Sequence, residues 1–204
     1  MDLDQQGFIT PNAMHFVRQH SAVPRVMQDG TDVDGHSFFI EQVLFNGAKT
    51  ERKLNSRTLT IKDLREKFSK VLMPVILVCS GQRRYEYNLR EPTGGAISWH
   101  NATGNAVWGG VFLRDLLIWA GISEDPKVSK FVEFHGAEGY KGCVPFHKCI
   151  DPNGDVLVAW EMNGEPLPPD HGFPLRVVVP GYSAKTSTKW LTGIQVRDTD
   201  STFG

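Results

Sequence analysis

Short apolar runs, each closed by Gly, Pro or Asn, recur along the whole chain and constrain its fold more than any other feature. Runs of this length between turn-forming residues are typical of β-strands. The run at residues 71–79 is continuously apolar, so it predicts a buried strand that carries Cys79 at its C-terminal end. Asn46-Gly47 and Asn163-Gly164 are predicted turns. The predicted strands cover residues 37–45, 71–79, 130–134, 155–164, 174–181 and 189–198.

Two further segments carry a helical pattern. Residues 58–68 begin as a strand and become helical from Lys62, because Leu64 and Phe68 are four apart. Residues 109–122 predict a helix that stops at Gly121, since apolar residues recur at helical spacing. Those residues are Leu113, Leu116, Leu117 and Ala120. Many strands with a few helices predict the α+β class with mixed sheets.

Length and composition predict one globular domain over residues 1–204, with a substantial core. Of the 204 residues, 40% are hydrophobic, and the formal net charge is −1. A sequence-independent nucleic-acid binder is normally basic overall, so this class is not expected and any anion site must be local. A membrane span is not expected either, because no apolar run approaches the roughly 18 residues that one needs.

The cysteines indicate a reducing compartment. Cys79, Cys143 and Cys149 are an odd number of thiols in a chain too large to need disulfides. The N-terminal residues lack the pattern of a secretory signal. The predicted location is the cytoplasm. An organelle remains the alternative, with its targeting segment outside this sequence.

Cys79 is followed at once by a glycine-bearing loop and two arginines, Arg83 and Arg84. A core cysteine at a strand end is the simpler interpretation. The basic loop favours a functional thiolate instead, because neighbouring positive charge lowers a thiol pKa and a thiolate is a soft metal ligand. Cys143 and Cys149 match no common zinc spacing, so further metal ligands would come from an organic cofactor.

Three separate segments carry cationic side chains. In the segment HFVRQH (residues 15–20), a strand would place Phe16, Arg18 and His20 on one face and His15 and Val17 on the other. In residues 168–181, prolines and glycines bracket Asp170, His171 and Arg176. Lys185 and Lys189 flank a Thr/Ser cluster. Each segment alone is also compatible with solvated surface or an ordinary turn. Together with Cys79 they indicate a buried polyanionic ligand near a soft metal.

These motifs resemble the molybdopterin domain that sulfite oxidases share with eukaryotic assimilatory nitrate reductases. The family's C-A-G-N-R-R loop is similar to Cys79-Ser80-Gly81-Gln82-Arg83-Arg84, and its ITP…VRNH segment is similar to GFITPNAMHFVRQH. The block AWEMNGEPLPPDHGFPLRVVVPG and the stretch GNAVWGG (residues 104–110) also match. The resemblance covers nearly the whole chain.

The resemblance implies an α+β fold of the sulfite oxidase type and a molybdenum–molybdopterin cofactor. Cys79 would be the thiolate on molybdenum, Arg18 and Arg84 would face the substrate oxyanion, and Trp99 lies one place from the family's active-site tryptophan. The implied cofactor-binding residues are Phe16, Arg18, His20, Cys79, Arg83, Glu138, His171, Arg176, Ser187, Thr188 and Lys189.

Three departures from the family pattern stand out. Ser80 and Gln82 replace the loop's Ala and Asn. The family segment G-G/A-R-x-V-K-W reads AKTSTKW at residues 184–190, so its glycine and arginine are lost. The family's C-terminal immunoglobulin-like dimerisation domain and its haem or flavin domains are not in this sequence.

The function that the resemblance implies is oxygen-atom transfer on a small oxyanion, with electrons exchanged with a separate haem or flavin domain or protein. GFITPNAMHFVRQH, together with Glu86 and Asn88 after the arginines, favours nitrate reduction to nitrite. AWEMNGEPLP and GNAVWGG favour sulfite oxidation. A catalytically impaired cofactor-binding protein or fragment is the alternative of a different class, because the segment at 184–190 is altered.

Overall fold

The computed structural model describes residues 7–25, 32–45, 51–93 and 101–200, and ten strands within them form two sheets. Four short α-helices connect strands, and 3-10 turns lie at Asn12–Met14, Pro169–His171 and Ala184–Thr186. The helices are α1 (Ile61–Lys67), α2 (Arg84–Asn88), α3 (Leu113–Trp119) and α4 (Phe146–Ile150). The strands are β1 (Ser37–Phe45), β2 (Glu51–Thr60), β3 (Val71–Val78), β4 (Thr103–Phe112), β5 (Phe131–Gly136), β6 (Lys141–Pro145), β7 (Leu157–Met162), β8 (Glu165–Pro166), β9 (Arg176–Val178) and β10 (Leu191–Arg197).

The first sheet is mixed and has the order β2-β1-β10-β5-β6. Strands β1 and β10 pair in parallel, whereas the other neighbours are antiparallel. The second sheet is antiparallel, with the order β3-β4-β7-β8, and β9 also pairs with β7. Mixed sheets with few helices confirm the predicted α+β class.

Local sequence signals explain where the predicted helices begin and end. Helix α1 starts one residue before the predicted Lys62, because Thr60 forms a capping box with Asp63. Helix α3 begins only at Leu113, because residues 109–112 of the predicted helix belong to β4, and it ends before Gly121, which adopts a φ of 69°. Asn163 and Gly164 turn the chain between β7 and β8 with φ values of 55° and 82°. The predicted turn at Asn46-Gly47 lies outside the described residues.

Strand β3 corrects the prediction of a buried strand at residues 71–79. It lies at the edge of the second sheet, and only alternate side chains, such as Val75 and Leu77, enter the core. Leu72 and Ile76 are 61% and 50% exposed on the other face. Apolar continuity alone does not distinguish an edge from a central strand, but Pro74 does, because proline cannot donate to a ladder and is confined to edges.

Two apolar clusters stabilise the molecule. The larger one contains residues of both sheets, such as Ile194 and Val158, together with the leucines of α3. The smaller one lies on the second sheet and surrounds Trp108 of β4, which is fully buried. Within the described ranges, no helix is long and apolar enough to cross a bilayer.

Gly110 is needed where β4 bulges against β7, because a Cβ atom there would overlap the backbone of Val158 and Ala159. We expect Gly110→Ala to destabilise the protein by roughly 2 kcal/mol or more, since backbone cannot move aside as a side chain can. The matched control is Gly109→Ala, whose Cβ would meet the side chains of Glu161 and Leu72. Urea unfolding of both variants tests this. Equal losses in the two variants would contradict it.

Candidate active site

A cavity of about 410 Å³ opens where the segment 15–20 passes the loop after β3 and the segment 184–190. Five cationic side chains but only two carboxylates line it, although the whole chain carries a net charge of −1. The local excess of positive charge suits an anionic ligand. The residues singled out from the sequence that line it are Phe16, Arg18, His20, Cys79, Arg84, Glu138, His171, Arg176, Ser187, Thr188 and Lys189.

Cys79 follows β3 directly, and a tight turn holds it in the cavity wall. Its N–H donates to the carbonyl of Ala102 (2.9 Å), and the N–H of Gln82 donates to the Cys79 carbonyl (3.0 Å). The Gly81 N–H lies 3.4 Å from the Cys79 sulfur and donates to it. The side-chain oxygen of Gln82 accepts from the N–H of Ala102 (2.6 Å), so the loop is bonded to the residue just before β4. The half-buried sulfur, a soft donor atom, therefore lines the cavity.

The two arginines of this loop have different environments. Arg84 lines the cavity, and one of its nitrogens lies 3.5 Å from the carbonyl of Ser80. Arg83 does not line it. With a φ of 56°, Arg83 precedes α2 and forms a bidentate ion pair with Glu86 at the surface (2.5 and 2.6 Å). The remaining candidate, Trp99, lies outside the described residues.

Arg176 is the most deeply buried charge of the cavity. Its guanidinium donates to the carbonyls of His171 (2.7 Å) and Ser187 (3.0 Å) and lies 4.7 Å from the centre of the Trp108 ring. Among the described residues, no carboxylate pairs with it. Burial therefore lowers the pKa of Arg176 to about 9, since no carboxylate offsets the loss of solvation. A cation kept here without a counter-ion favours a bound anion, because desolvating an unpaired charge is costly.

Lys189 repeats this pattern beside Arg176. Its ammonium donates to the carbonyls of Asp170 (2.9 Å) and Arg18 (3.3 Å) and lies 4.7 Å from the Trp190 ring centre. Burial, and secondly the charge of Arg176, lower the pKa of Lys189 to about 7. An anion in the cavity would raise that pKa again, because it would stabilise the charged ammonium.

Two buried histidines complete the inner wall. His171 Nε2 lies 3.1 Å from the carbonyl of Asn12, and His15 Nδ1 lies 3.3 Å from the carbonyl of Phe16, so these nitrogens carry the ring protons. The two rings meet edge to face at 5.3 Å. Burial is the main cause that lowers the pKa of each to about 4. Both imidazoles are therefore neutral at pH 7.

Unpartnered polar atoms test whether a polar cofactor fits. Buried side-chain atoms without a hydrogen-bond partner include Oε2 of Glu138, Oγ1 of Thr188 and Nε2 of His15, and all three residues line the cavity. Burial raises the pKa of Glu138. Buried polar groups are normally paired, so a cavity with several unpaired groups suits a ligand rich in donors and acceptors. A pterin with its phosphate has that chemistry, and the residues present fit it.

Gln19 and Tyr140 line the cavity but were not noted in the sequence, whereas His15 and Asp170 were noted there without a role in the site. His15 was placed on the opposite face because strand alternation was assumed. Residues 15–20 are not in a strand, however, and His15 is buried beside Phe16. The sequence feature that marks the buried place of His15 is Gly104, because a Cβ atom at position 104 would overlap the His15 ring. Tyr140 has no local signal, since it reaches the cavity through the packing of His20 on its ring.

The histidines predict how stability depends on pH. Folding holds His15 and His171 neutral down to about pH 4, whereas the unfolded chain takes up protons below about pH 6.5, so stability is lost as the pH falls through this window. For each histidine we expect a loss of roughly 2 kcal/mol between pH 7 and pH 5.

Urea unfolding of the cofactor-free protein at the two pH values measures this loss. His15→Gln should roughly halve the loss of unfolding free energy between the two pH values. The control His147→Gln, at an exposed position, should leave that loss unchanged. An unchanged pH dependence in His15→Gln would contradict the assignment.

Comparison with known proteins gives one consistent result. The family model of the oxidoreductase molybdopterin binding domain matches residues 40–203. The nitrate reductase (NADPH) of Fusarium oxysporum is 38% identical over 201 residues, which cover 96% of this chain and 21% of that protein. That of Phytophthora infestans is 40% identical over 202 residues, 95% of this chain and 20% of that protein. Sulfite oxidase of Gallus gallus is 35% identical over 209 residues, 98% and 42% of the two chains.

Among solved structures, the sulfane dehydrogenase SoxCD of Paracoccus pantotrophus is similar, with a TM-score of 0.74 and 25% identity. The alignment covers 95% of this chain and 44% of that one. The chain spans less than half the length of each of these relatives. Because the family model covers most of its residues, the chain belongs to the family of molybdopterin-binding oxidoreductase domains, and molybdopterin is the cofactor of that family.

Proposed function

We propose that residues 1–204 form one molybdopterin-binding domain that performs oxygen-atom transfer on a small oxyanion, with nitrate reduction to nitrite as its reaction. The single observation that carries the proposal is the cavity beside Cys79, in which the buried Arg176 and the half-buried Lys189 have no paired carboxylate among the described residues. When bound, the cofactor supplies the oxygen-atom transfer and the electron exchange with a separate haem or flavin centre.

In this proposal the residues of the cavity divide into two groups. Cys79 presents its sulfur as the protein ligand to molybdenum, and Arg18 and Arg84 hold the substrate oxyanion. Arginine suits this role because its planar fork binds oxyanions in a bidentate manner and stays charged. The residues that hold the pterin and its phosphate are Phe16, His20, Glu138, His171, Arg176, Ser187, Thr188 and Lys189.

The protein's part in the reaction is to orient and to neutralise charge. A cationic, half-enclosed cavity attracts a small anion and strengthens every electrostatic contact inside it, because water is partly excluded. His15 and His171 stay neutral beside Arg176, so they accept or donate hydrogen bonds without adding further positive charge. Burial raises the pKa of Glu138, whose unpartnered Oε2 lies at the cavity and can hydrogen-bond to a pterin.

The choice of nitrate over sulfite is supported by the segment GFITPNAMHFVRQH, which resembles nitrate reductases. Sequence identity does not separate the two substrates, because similar nitrate reductases are 34–40% identical to this chain and similar sulfite oxidases 35–36%. Glu86 and Asn88 after the arginines also favour nitrate. A cofactor-binding protein without turnover would share the cavity but would not need Arg18 and Arg84 in its lining.

Replacement of the proposed metal ligand is the first test. Cys79→Ser should abolish nitrate reduction with a chemical electron donor, because a hydroxyl is a poor soft-metal ligand at neutral pH. The matched control is Cys143→Ser, which lies outside the cavity lining and should keep its activity. Elemental analysis should find near-stoichiometric molybdenum in the unchanged protein, made in cells that synthesise the cofactor. Activity that survives in Cys79→Ser would refute the ligand assignment.

Replacement of the neighbouring arginines separates substrate from cofactor contacts. Arg84→Ala should lower kcat/KM for nitrate by roughly 30-fold, about 2 kcal/mol, while molybdenum content stays unchanged. Arg83→Ala is the matched control, because its side chain pairs with Glu86 outside the cavity. Loss of molybdenum in Arg84→Ala equal to the loss of activity would place Arg84 on the cofactor instead. Comparing nitrate with sulfite in the same assays decides between the two substrates.

A further inference from the structure

The altered segment at residues 184–190 loses a charge at Thr186, where the family pattern has arginine. The structure explains why threonine does not replace that arginine in function. Thr186 is buried, its hydroxyl donates to the carbonyl of Ser183 (3.0 Å), and its side chain does not line the cavity. The hydroxyl closes the local turn, so it is not available to a ligand.

The adjacent Lys185 does line the cavity. Its side chain is exposed, and no carboxylate pairs with it among the residues that the structure describes. Its backbone is fixed on both sides. The hydroxyl of Tyr140 donates to the Lys185 carbonyl (2.9 Å), and the N–H of Ser187 donates to the carbonyl of Ala184 (3.1 Å). The lysine therefore stands at a defined place on the rim with its ammonium uncommitted.

Tyr140 connects Lys185 to the other cations of this part of the cavity. The ring of His20 stacks on Tyr140 with centroids 5.8 Å apart and planes 7° apart. His20 Nδ1 lies 3.5 Å from a guanidinium nitrogen of Arg18, whose carbonyl accepts from Lys189 (3.3 Å). Burial, and secondly Glu138, raise the pKa of Tyr140, so its hydroxyl stays protonated and keeps its bond to Lys185.

We propose that Lys185 replaces the missing arginine and binds the terminal phosphate of the cofactor, together with His20 and Lys189. The proposal rests on the proposed cofactor binding and adds a residue of this chain that the family pattern does not contain. A phosphate monoester is dianionic near neutral pH and compact, which suits a point charge on a flexible stem. Glu138 and Asp170 are the carboxylates of the lining, and both lie near Lys189.

The test measures retention of the cofactor, not turnover. Loaded protein is diluted into buffer that contains inorganic phosphate as competitor. Release is then followed by molybdenum analysis of the protein fraction and by fluorescence of the oxidised pterin in the filtrate. We expect Lys185→Met to release the cofactor about tenfold faster than the unchanged protein, and Lys185→Arg to release it at nearly the unchanged rate.

Lys127→Met is the matched control, because Lys127 is also exposed but does not line the cavity. The cofactor-free variants should have the same Tm in thermal unfolding, because each of them replaces an exposed lysine. If Lys185→Met retains the cofactor as well as Lys127→Met does, the phosphate contact is refuted while the proposed function stands. If the unchanged protein holds no molybdenum, the proposed function itself fails. If only the KM for nitrate changes, Lys185 contacts substrate and the inference is wrong.

Discussion

The buried guanidinium of Arg176 is the interaction on which the site depends. It lies on the Trp108 ring and donates to the carbonyls of His171 and Ser187, so one side chain joins β4, the 3-10 turn at Pro169–His171 and the segment after Ala184. The N–H of Val179 donates to the Ser187 hydroxyl (3.0 Å), and this bond fixes the same segment from the other side. Since all the partners of the guanidinium are backbone carbonyls, its charge is oriented but not neutralised, and the cavity keeps its positive potential.

Asparagine side chains hold the N-terminal segment against the second sheet and so bring Arg18 and His20 to the cavity. Asn163 donates to the carbonyl of Thr10 (2.9 Å) while its side-chain oxygen accepts from the N–H of Val107 (2.8 Å). Asn105 donates to the carbonyl of Phe8 (3.0 Å). These side chains pair backbone carbonyls of the N-terminal segment, which is not in a strand and so lacks the regular backbone hydrogen bonds of a sheet. Gly104 leaves room for the His15 ring, so the same strand both anchors the segment and accommodates its buried histidine.

Local patterns predicted much of the fold, because strand and helix periods are written in consecutive residues. The helix at Leu113–Trp119 and its stop at Gly121 followed from spacing and one glycine. Sheet position was beyond such patterns. Strand β3 was expected to be buried because all its residues are apolar, and only Pro74 marked it as an edge. Distance along the chain also limited the site prediction. The motif residues were found through their resemblance to a family, whereas Tyr140 lines the cavity through contacts with residues more than forty positions away, which no local pattern contains.

The energetics of the cavity follow from these arrangements. Burial lowers the pKa of Arg176, Lys189, His15 and His171 together, which means that the folded chain opposes charge on each of them. Since a pKa shift is a free-energy difference between folded and unfolded states, the charges of Arg176 and Lys189 cost stability at neutral pH, where the two histidines are neutral. A bound anion makes the same charges stabilising, because each cation then has an oppositely charged partner in a region of low dielectric. The cluster is therefore destabilising for the protein alone and favourable for the complex, and this difference makes the cavity a binding site rather than a part of the core.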